Sequence, residues 1–217
     1  MHYLVPCLKG VILSNNDITG VGRLHLRQLT IMNKTAGDYR IFVGAFPTSD
    51  LAERIQALRQ RHDAKTARIT APHVTVAGTY WRSGPATPEN EAATVARLRA
   101  VQSQIHPFEL TLGGIDSFLP LTLVIYLRVE PTAGLLAARR ALLDALGPDK
   151  NRHFAPHLTL TMRLDRARTQ RLLQELWQSE WHTGRWPVPM DHLWLMQRGP
   201  GDPAWRHIYR INLSAVS

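Results

Sequence analysis

The chain has 217 residues, 44% hydrophobic and 20% charged, the balance of a soluble globular protein long enough to bury a core as one domain or as two fused half-domains. The single cysteine, Cys7, excludes an internal disulfide framework and any zinc cluster built on several thiolates, which fits a reducing compartment, and cytoplasm is the expected location. Lys and Arg number 26 against 17 Asp and Glu, and the resulting +9 favours encounter with phosphate-bearing partners, while no apolar run is long enough for a membrane span.

Residues 1–38 show weak periodicity and are expected to form an N-terminal extension, of which the first 31 residues are expected to have no catalytic role, Met32 being a natural beginning for the rest of the chain. They lack the basic start and long apolar centre of a secretory signal. From Tyr39 the pattern becomes readable. "YRIFVGAF" suits a strand, and "SDLAERIQALRQRH" a helix with Ser49 or Asp50 as cap and Leu51, Ile55 and Leu58 on its apolar face. "HVTVAGTYW" alternates with period two, and "SGPATPEN" breaks the chain before the helical "EAATVARLRAVQSQI". "FELTLGGIDSF" and "LTLVIYLRVE" read as adjacent strands, and "GLLAARRALLDAL" as a helix closed by Gly147 and Pro148. "HLTLTMRL" is a strand and "DRARTQRLLQELWQ" a helix that Asp165 can cap; "DHLWLMQRG" and "WRHIYRINLS" close the chain as two more strands.

This order predicts an α+β fold over 39–217, bilobal and pseudo-symmetric, each lobe a small, mostly antiparallel sheet backed by helices, with a catalytic groove between them. No Gly/Ser-rich linker separates the lobes, so they are expected to share a continuous interface.

"APHVTVAGTY" begins at Ala71 and "APHLTLTMRL" at Ala155. Side chains on a strand alternate faces, so His73 points with Thr75 and His157 with Thr159, while Val74, Val76, Leu158 and Leu160 point oppositely into apolar packing. One His and one Thr two apart on a strand usually do nothing catalytic. A structural repeat would preserve only the apolar positions, yet here the polar pair returns as well, which points to one joint active site. With a pseudo-twofold between the lobes, two imidazoles facing across a groove supply a base and an acid near neutral pH, and two hydroxyls can donate to non-bridging phosphoryl oxygens. That suits displacement at phosphorus with neither metal nor cofactor. A serine triad lacks its Gly-x-Ser-x-Gly elbow, and a zinc site lacks a His-Glu-x-x-His helix or thiolate pairs.

On these residues the sequence resembles the two-histidine phosphoesterases, the group containing RNA 2',3'-cyclic phosphodiesterases, also called 2'-5' RNA ligases. The resemblance runs from about Tyr39 to Ser214, carried by "PHVTV" and "PHLTL" and supported by "RIFVGAF" and "GGIDSFLPLTLVIYLRVEP". It implies a catalytic set of His73, Thr75, His157 and Thr159 that opens a 2',3'-cyclic phosphate to a 2'-phosphate, with His73 as acid and His157 as water-activating base. The pseudo-symmetry itself allows either order. Many RNA-directed relatives carry Lys where Ala77 stands here. Arg163, six residues after His157 and on the catalytic face of a regular strand, is the candidate to compensate. Expected partners are RNA with 2',3'-cyclic phosphate ends or a small cyclic nucleotide, including ADP-ribose cyclic phosphate, bound by a monomer. A non-catalytic nucleotide- or RNA-binding module on the same fold is the alternative. Candidates for stacking on a base are Phe154, best placed, with Tyr80 and Trp81, whereas Tyr126 is expected to pack inside.

Overall fold

The computed structural model describes residues 37–214 except Arg152 and the side chain of Ser49, so all but the last two residues of the expected N-terminal extension, Met32 and Cys7 included, lie outside the described residues. In chain order the elements are β1 (Tyr39–Ala45), α1 (Ser49–Ile69), β2 (Val74–Arg82), α2 (Pro88–Gln102), β3 (Phe108–Ser117), β4 (Ile125–Val129), α3 (Ala133–Leu146) and β5 (His157–Thr161). After them come α4 (Arg166–Trp177), the short α5 (Glu180–Thr183), β6 (Trp186–Met190), β7 (His192–Arg198) and β8 (Arg206–Asn212).

The strands form one 8-stranded antiparallel sheet in the order β6-β3-β4-β5-β2-β1-β7-β8. The two expected half-sheets are present, β2-β1-β7-β8 and β5-β4-β3-β6. They join edge to edge through the two motif strands, which share the register pair Val74↔Leu158. Each motif strand closes a strand-helix-strand unit, β1-α1-β2 or β4-α3-β5. The half-sheets are nevertheless not consecutive halves of the chain, because β3 crosses over to pair with β4 and β6, and β7 returns to β1. The exchange covers the second edge of β1 and of β4 and so satisfies backbone groups that an open edge would leave unpaired.

The main core lies between sheet and helices. Val43, Val74, Val76, Leu158 and Leu160 from the strands meet Ile55, Leu135 and Leu142 from the helices, all fully enclosed. A smaller cluster of Phe42, Phe46 and Met196, flanked by Trp194 and Trp205, packs apart from it. The seam is braced from behind. Arg139 of α3 pairs with Asp149 at 2.8 Å and donates to the Val76 carbonyl, Asp149 accepts from Gly78 N–H, and Asn151 donates to the Gly78 carbonyl. This network ties the loop before β5 to the middle of β2, and removing either charge would leave the other buried without its counter-charge, a loss of about 3–5 kcal/mol.

Several ends differ from the pattern-based reading. α1 is capped at Thr48, without a side-chain cap bond, and continues past His62 through a kink at Asp63. α2 starts at Pro88 because Thr87 accepts from Asn90 N–H and proline is tolerated in a first turn. "WPVPM" forms β6 despite two prolines, since an edge strand has one side that needs no donors. Asp165 caps α4 as expected, accepting from Arg168 N–H. Among the described residues no helix is long and apolar enough to cross a membrane.

Candidate active site

The seam dictates where the duplicated residues fall. Extending the antiparallel pair Val74↔Leu158 by one residue each way sets His73 across from Thr159 and Thr75 across from His157. Val74 and Leu158 are 0% exposed on the core side, so the four polar side chains share the opposite face. The imidazoles take one diagonal of the cluster and the hydroxyls the other. Diagonal neighbours on paired strands stand about 7–8 Å apart or less, a spacing that lets two rings flank one phosphorus atom.

Both imidazoles are oriented by the same local device. His73 Nδ1 lies 2.9 Å from the Ala71 carbonyl oxygen, and His157 Nδ1 lies 2.8 Å from that of Ala155. A carbonyl only accepts, so Nδ1 carries the hydrogen in each ring and Nε2 is the nitrogen left for chemistry. Their surroundings differ. Phe42 and Phe46 stack on His73 at 4.7 and 5.3 Å between centroids. Gly44 makes this possible, because a Cβ there would sit 2.8 Å from the Phe42 ring and 3.0 Å from that of Phe46. His157 instead meets Phe118 edge-on at 4.9 Å and Tyr126 tilted at 5.1 Å.

Burial therefore pushes the His73 pKa down to about 4, opposed by the bond to Ala71 and assisted by the charges of Arg59 and His157. His157 is also lowered, by burial, against the bond to Ala155. Both shifts favour the neutral imidazole, and a bound anion would favour protonating one of the rings. Among the described residues the hydroxyls of Thr75 and Thr159 make no hydrogen bond to the protein, so both are available to a ligand.

His73, Thr75 and Thr159 line a cavity of about 270 Å³ together with Arg59, Arg163 and Trp205. His157 borders the cluster from the second half-sheet without lining this cavity. Arg163 reaches the cavity by a route other than a regular strand, for β5 ends at Thr161. The Asp63 carboxylate, at the kink in α1, accepts from Met162 N–H at 2.9 Å and Arg163 N–H at 3.0 Å, besides the Thr66 amide and hydroxyl. Burial alone would raise Asp63, but these bonds outweigh it and hold the carboxyl below its ordinary range. One buried acid thus fastens the end of the second motif strand to α1.

The proposed base-stacking residues do not gather here. Tyr80 is buried on the core side with its hydroxyl donating to the Gly147 carbonyl at 3.0 Å, and Phe154 packs against the core under the Arg139 guanidinium at 4.2 Å. Both are corrections, and in both the backbone around the motif turns the ring toward α3 rather than the groove. Trp81 stands outside the cavity lining and flanks Arg40 at 5.2 Å. Tyr126, expected inside, is the reverse case, since it pairs with Thr159 and lies against His157. Alternation carried the signal: Ile125, Leu127 and Val129 are buried, which leaves Tyr126 and Arg128 to the other face. The same parity in β1 puts Arg40, Phe42 and Gly44 opposite Ile41, Val43 and Ala45. Among the described residues no three His, Cys, Asp or Glu side chains are grouped as metal ligands.

Known proteins share this fold and the family to which its sequence is matched. The family model described as 2'-5' RNA ligase superfamily matches residues 47–202. A protein of Oceanobacillus iheyensis that bears the name phosphoesterase is 29% identical over 124 residues, covering 57% of this chain and 70% of that protein. The crystal structure of Escherichia coli LigT complexed with phosphate superposes with a TM-score of 0.55 and 20% identity, over 82% of this chain and 99% of LigT. LigT complexed with 3'-AMP gives a TM-score of 0.55 and 22% identity, over 81% and 98% of the two chains.

Proposed function

The chain belongs to the 2'-5' RNA ligase superfamily, and from that premise we propose that it hydrolyses 2',3'-cyclic phosphates, at RNA ends or on nucleotides, to 2'-phosphates by paired-histidine acid–base catalysis. Water attacks phosphorus as Nε2 of one imidazole takes its proton, and Nε2–H of the other gives a proton to the departing 3'-oxygen. Thr75 and Thr159 donate to the non-bridging oxygens as charge builds there. The observation that carries this reading is the duplication itself: each half-sheet supplies an imidazole locked through Nδ1 onto the carbonyl two residues back, beside a hydroxyl without a protein partner. The capture of LigT with phosphate and with 3'-AMP supports a nucleotide phosphate as the ligand class.

Family resemblance assigns His73 as the acid. For that role its pKa must climb from about 4, and the substrate's negative charge would supply the rise by offsetting Arg59. Turnover of cytidine 2',3'-cyclic phosphate in the presence of chelator tests the proposal, with cytidine 2'-phosphate as the expected product. Binding without product at any pH would overturn it in favour of a binding module.

A further inference from the structure

The cavity beside His73 holds more positive charge than a cyclic phosphodiester can use. It is lined by Arg40, Arg59, Arg163 and Arg198 and by no acidic side chain. Among the described residues none of these arginines forms an ion pair. Arg59 is 1% exposed; it donates to Gln56 Oε1 and to the Thr66 carbonyl, while its buried Nε–H has no partner. Burial pulls its pKa down to about 10, against the nearby charge of Asp63, whose own bonds go to Thr66, Met162 and Arg163. Arg40 and Arg198 face each other directly across the β1–β7 pair, an arrangement of like charges that destabilises a sheet unless something neutralises it. Arg40 lies between the rings of Trp81 and Trp205, 5.2 Å from each, which fixes its guanidinium at the cavity.

The two motif pairs already give the reacting phosphate two hydroxyl donors and two imidazoles, and that phosphate carries a single negative charge. Arginine is also the residue best matched to a phosphate through paired N–H donors. The cavity, at about 270 Å³, lies just below the about 300–1,000 Å³ typical of small-molecule sites, and its lining extends from His73 and the two motif threonines to Arg40 and Arg198 of the β1–β7 pair.

We propose that the cavity binds a second phosphate of the substrate, so that the preferred ligand is a nucleoside 2',3'-cyclic phosphate bearing a further phosphate at its 5' position, as a free monoester or as the diester to a preceding nucleotide. The inference rests on the cyclic phosphodiesterase reading above. Its test compares kcat/KM for cytidine 2',3'-cyclic phosphate, the same nucleotide with a 5'-phosphate, and a dinucleotide ending in the cyclic phosphate. At least one of the two phosphate-bearing substrates is expected to be favoured by about tenfold or more, mainly through KM, as the loss or gain of a charge-assisted bond would give. Preference for the monoester alone assigns a mononucleotide, preference for the dinucleotide alone assigns an RNA end, and both support the subsite.

The preference should shrink toward unity in Arg59→Gln, and in Arg40→Gln and Arg198→Gln, which are less deeply buried and keep the test usable if Arg59→Gln does not fold. Equal kcat/KM on all three substrates, or a preference that persists in every variant, overturns the second-phosphate site while leaving the phosphodiesterase reading intact. Turnover of none of them by the unaltered protein instead overturns the reading beneath it, and the subsite with it.

Discussion

The two half-sheets carry the same imidazole and the same hydroxyl in different enclosures. In the β2 half, His73 stacks with Phe42 and with Phe46 and sits in the field of Arg59. In the β5 half, His157 is approached by the edge of Phe118 and by a tilted Tyr126, and no arginine contributes to lowering its pKa. Stacking by two rings removes water from the imidazole more completely than edge and tilted contacts do, and desolvation disfavours the imidazolium. The repeat therefore sets position and tautomer alike in both halves, and the aromatic neighbours set how readily each ring takes a proton. Two chemically identical groups become an unequal pair, the asymmetry that the proposed acid–base catalysis would use.

Removing either imidazole takes away one half's contribution altogether. His73→Ala and His157→Ala should each lower kcat/KM by about a hundredfold or more, and the double variant should fall little further, because both rings serve one event. Steady-state rates on a cyclic nucleotide check this, and near-normal turnover by either single variant would sink the shared-site mechanism. Next in size is Asp63→Asn. An amide nitrogen would oppose some of the N–H groups that the carboxylate now accepts from, so Met162 and Arg163 would lose their anchor. We expect about a tenfold loss in kcat/KM expressed in KM, with about 1–3 kcal/mol of stability. A denaturation curve with unchanged midpoint would show that Asp63 does not hold this segment.

The unequal enclosures can be sharpened by pH. Phe42→Leu opens a face of His73 to water and should raise its pKa, moving the acid limb of the kcat/KM profile upward. Phe118→Leu, removing only an edge contact, should move it less. The same depression acts on stability. Because the folded His73 pKa lies below the unfolded value near 6.5, the unfolded chain takes up the proton first as pH falls. Stability is full above about 6.5 and declines as pH drops toward 4. His73→Gln should reduce the fall in Tm between pH 7 and pH 5, and an unaltered fall would mean that His73 is not the group responsible.

Much of this was written in local pattern. Alternation in "HVTV" and "HLTL" predicts which side chains share a face, and Asp165 and Gly147 mark helix ends by ordinary capping chemistry. What escaped the pattern depends on partners remote in sequence. α1 continues beyond His62 because Asp63, leaving helical geometry, finds its bonding partners at Met162 and Arg163. Arg59 stands four residues after Ile55 and so shares the buried helix face, but an arginine there reads as solvated until the fold closes a cavity over it. The crossover of β3 and the strand at "WPVPM" likewise depend on edges that exist only once the sheet is assembled.

Tyr80 gives the smallest expected effect and tests the boundary between groove and core. It is 6% exposed, and burial, with the charge of Asp149, pushes its pKa up to about 12, so the phenol stays neutral and donates to the Gly147 carbonyl. Tyr80→Phe keeps the ring that packs on the core and the face over which Arg82 lies at 5.0 Å, and deletes only that bond. The cost should be about 1 kcal/mol, or about 2–4 °C in Tm for a domain of this size. A phenol buried behind the sheet contributes nothing to substrate contact, so kcat and KM should both stay within about twofold of the parent, the tolerance of a surface-neutral change. A selective rise in KM with Tm unchanged would instead place this ring in the groove and reverse the assignment of the β2 faces beyond Gly78.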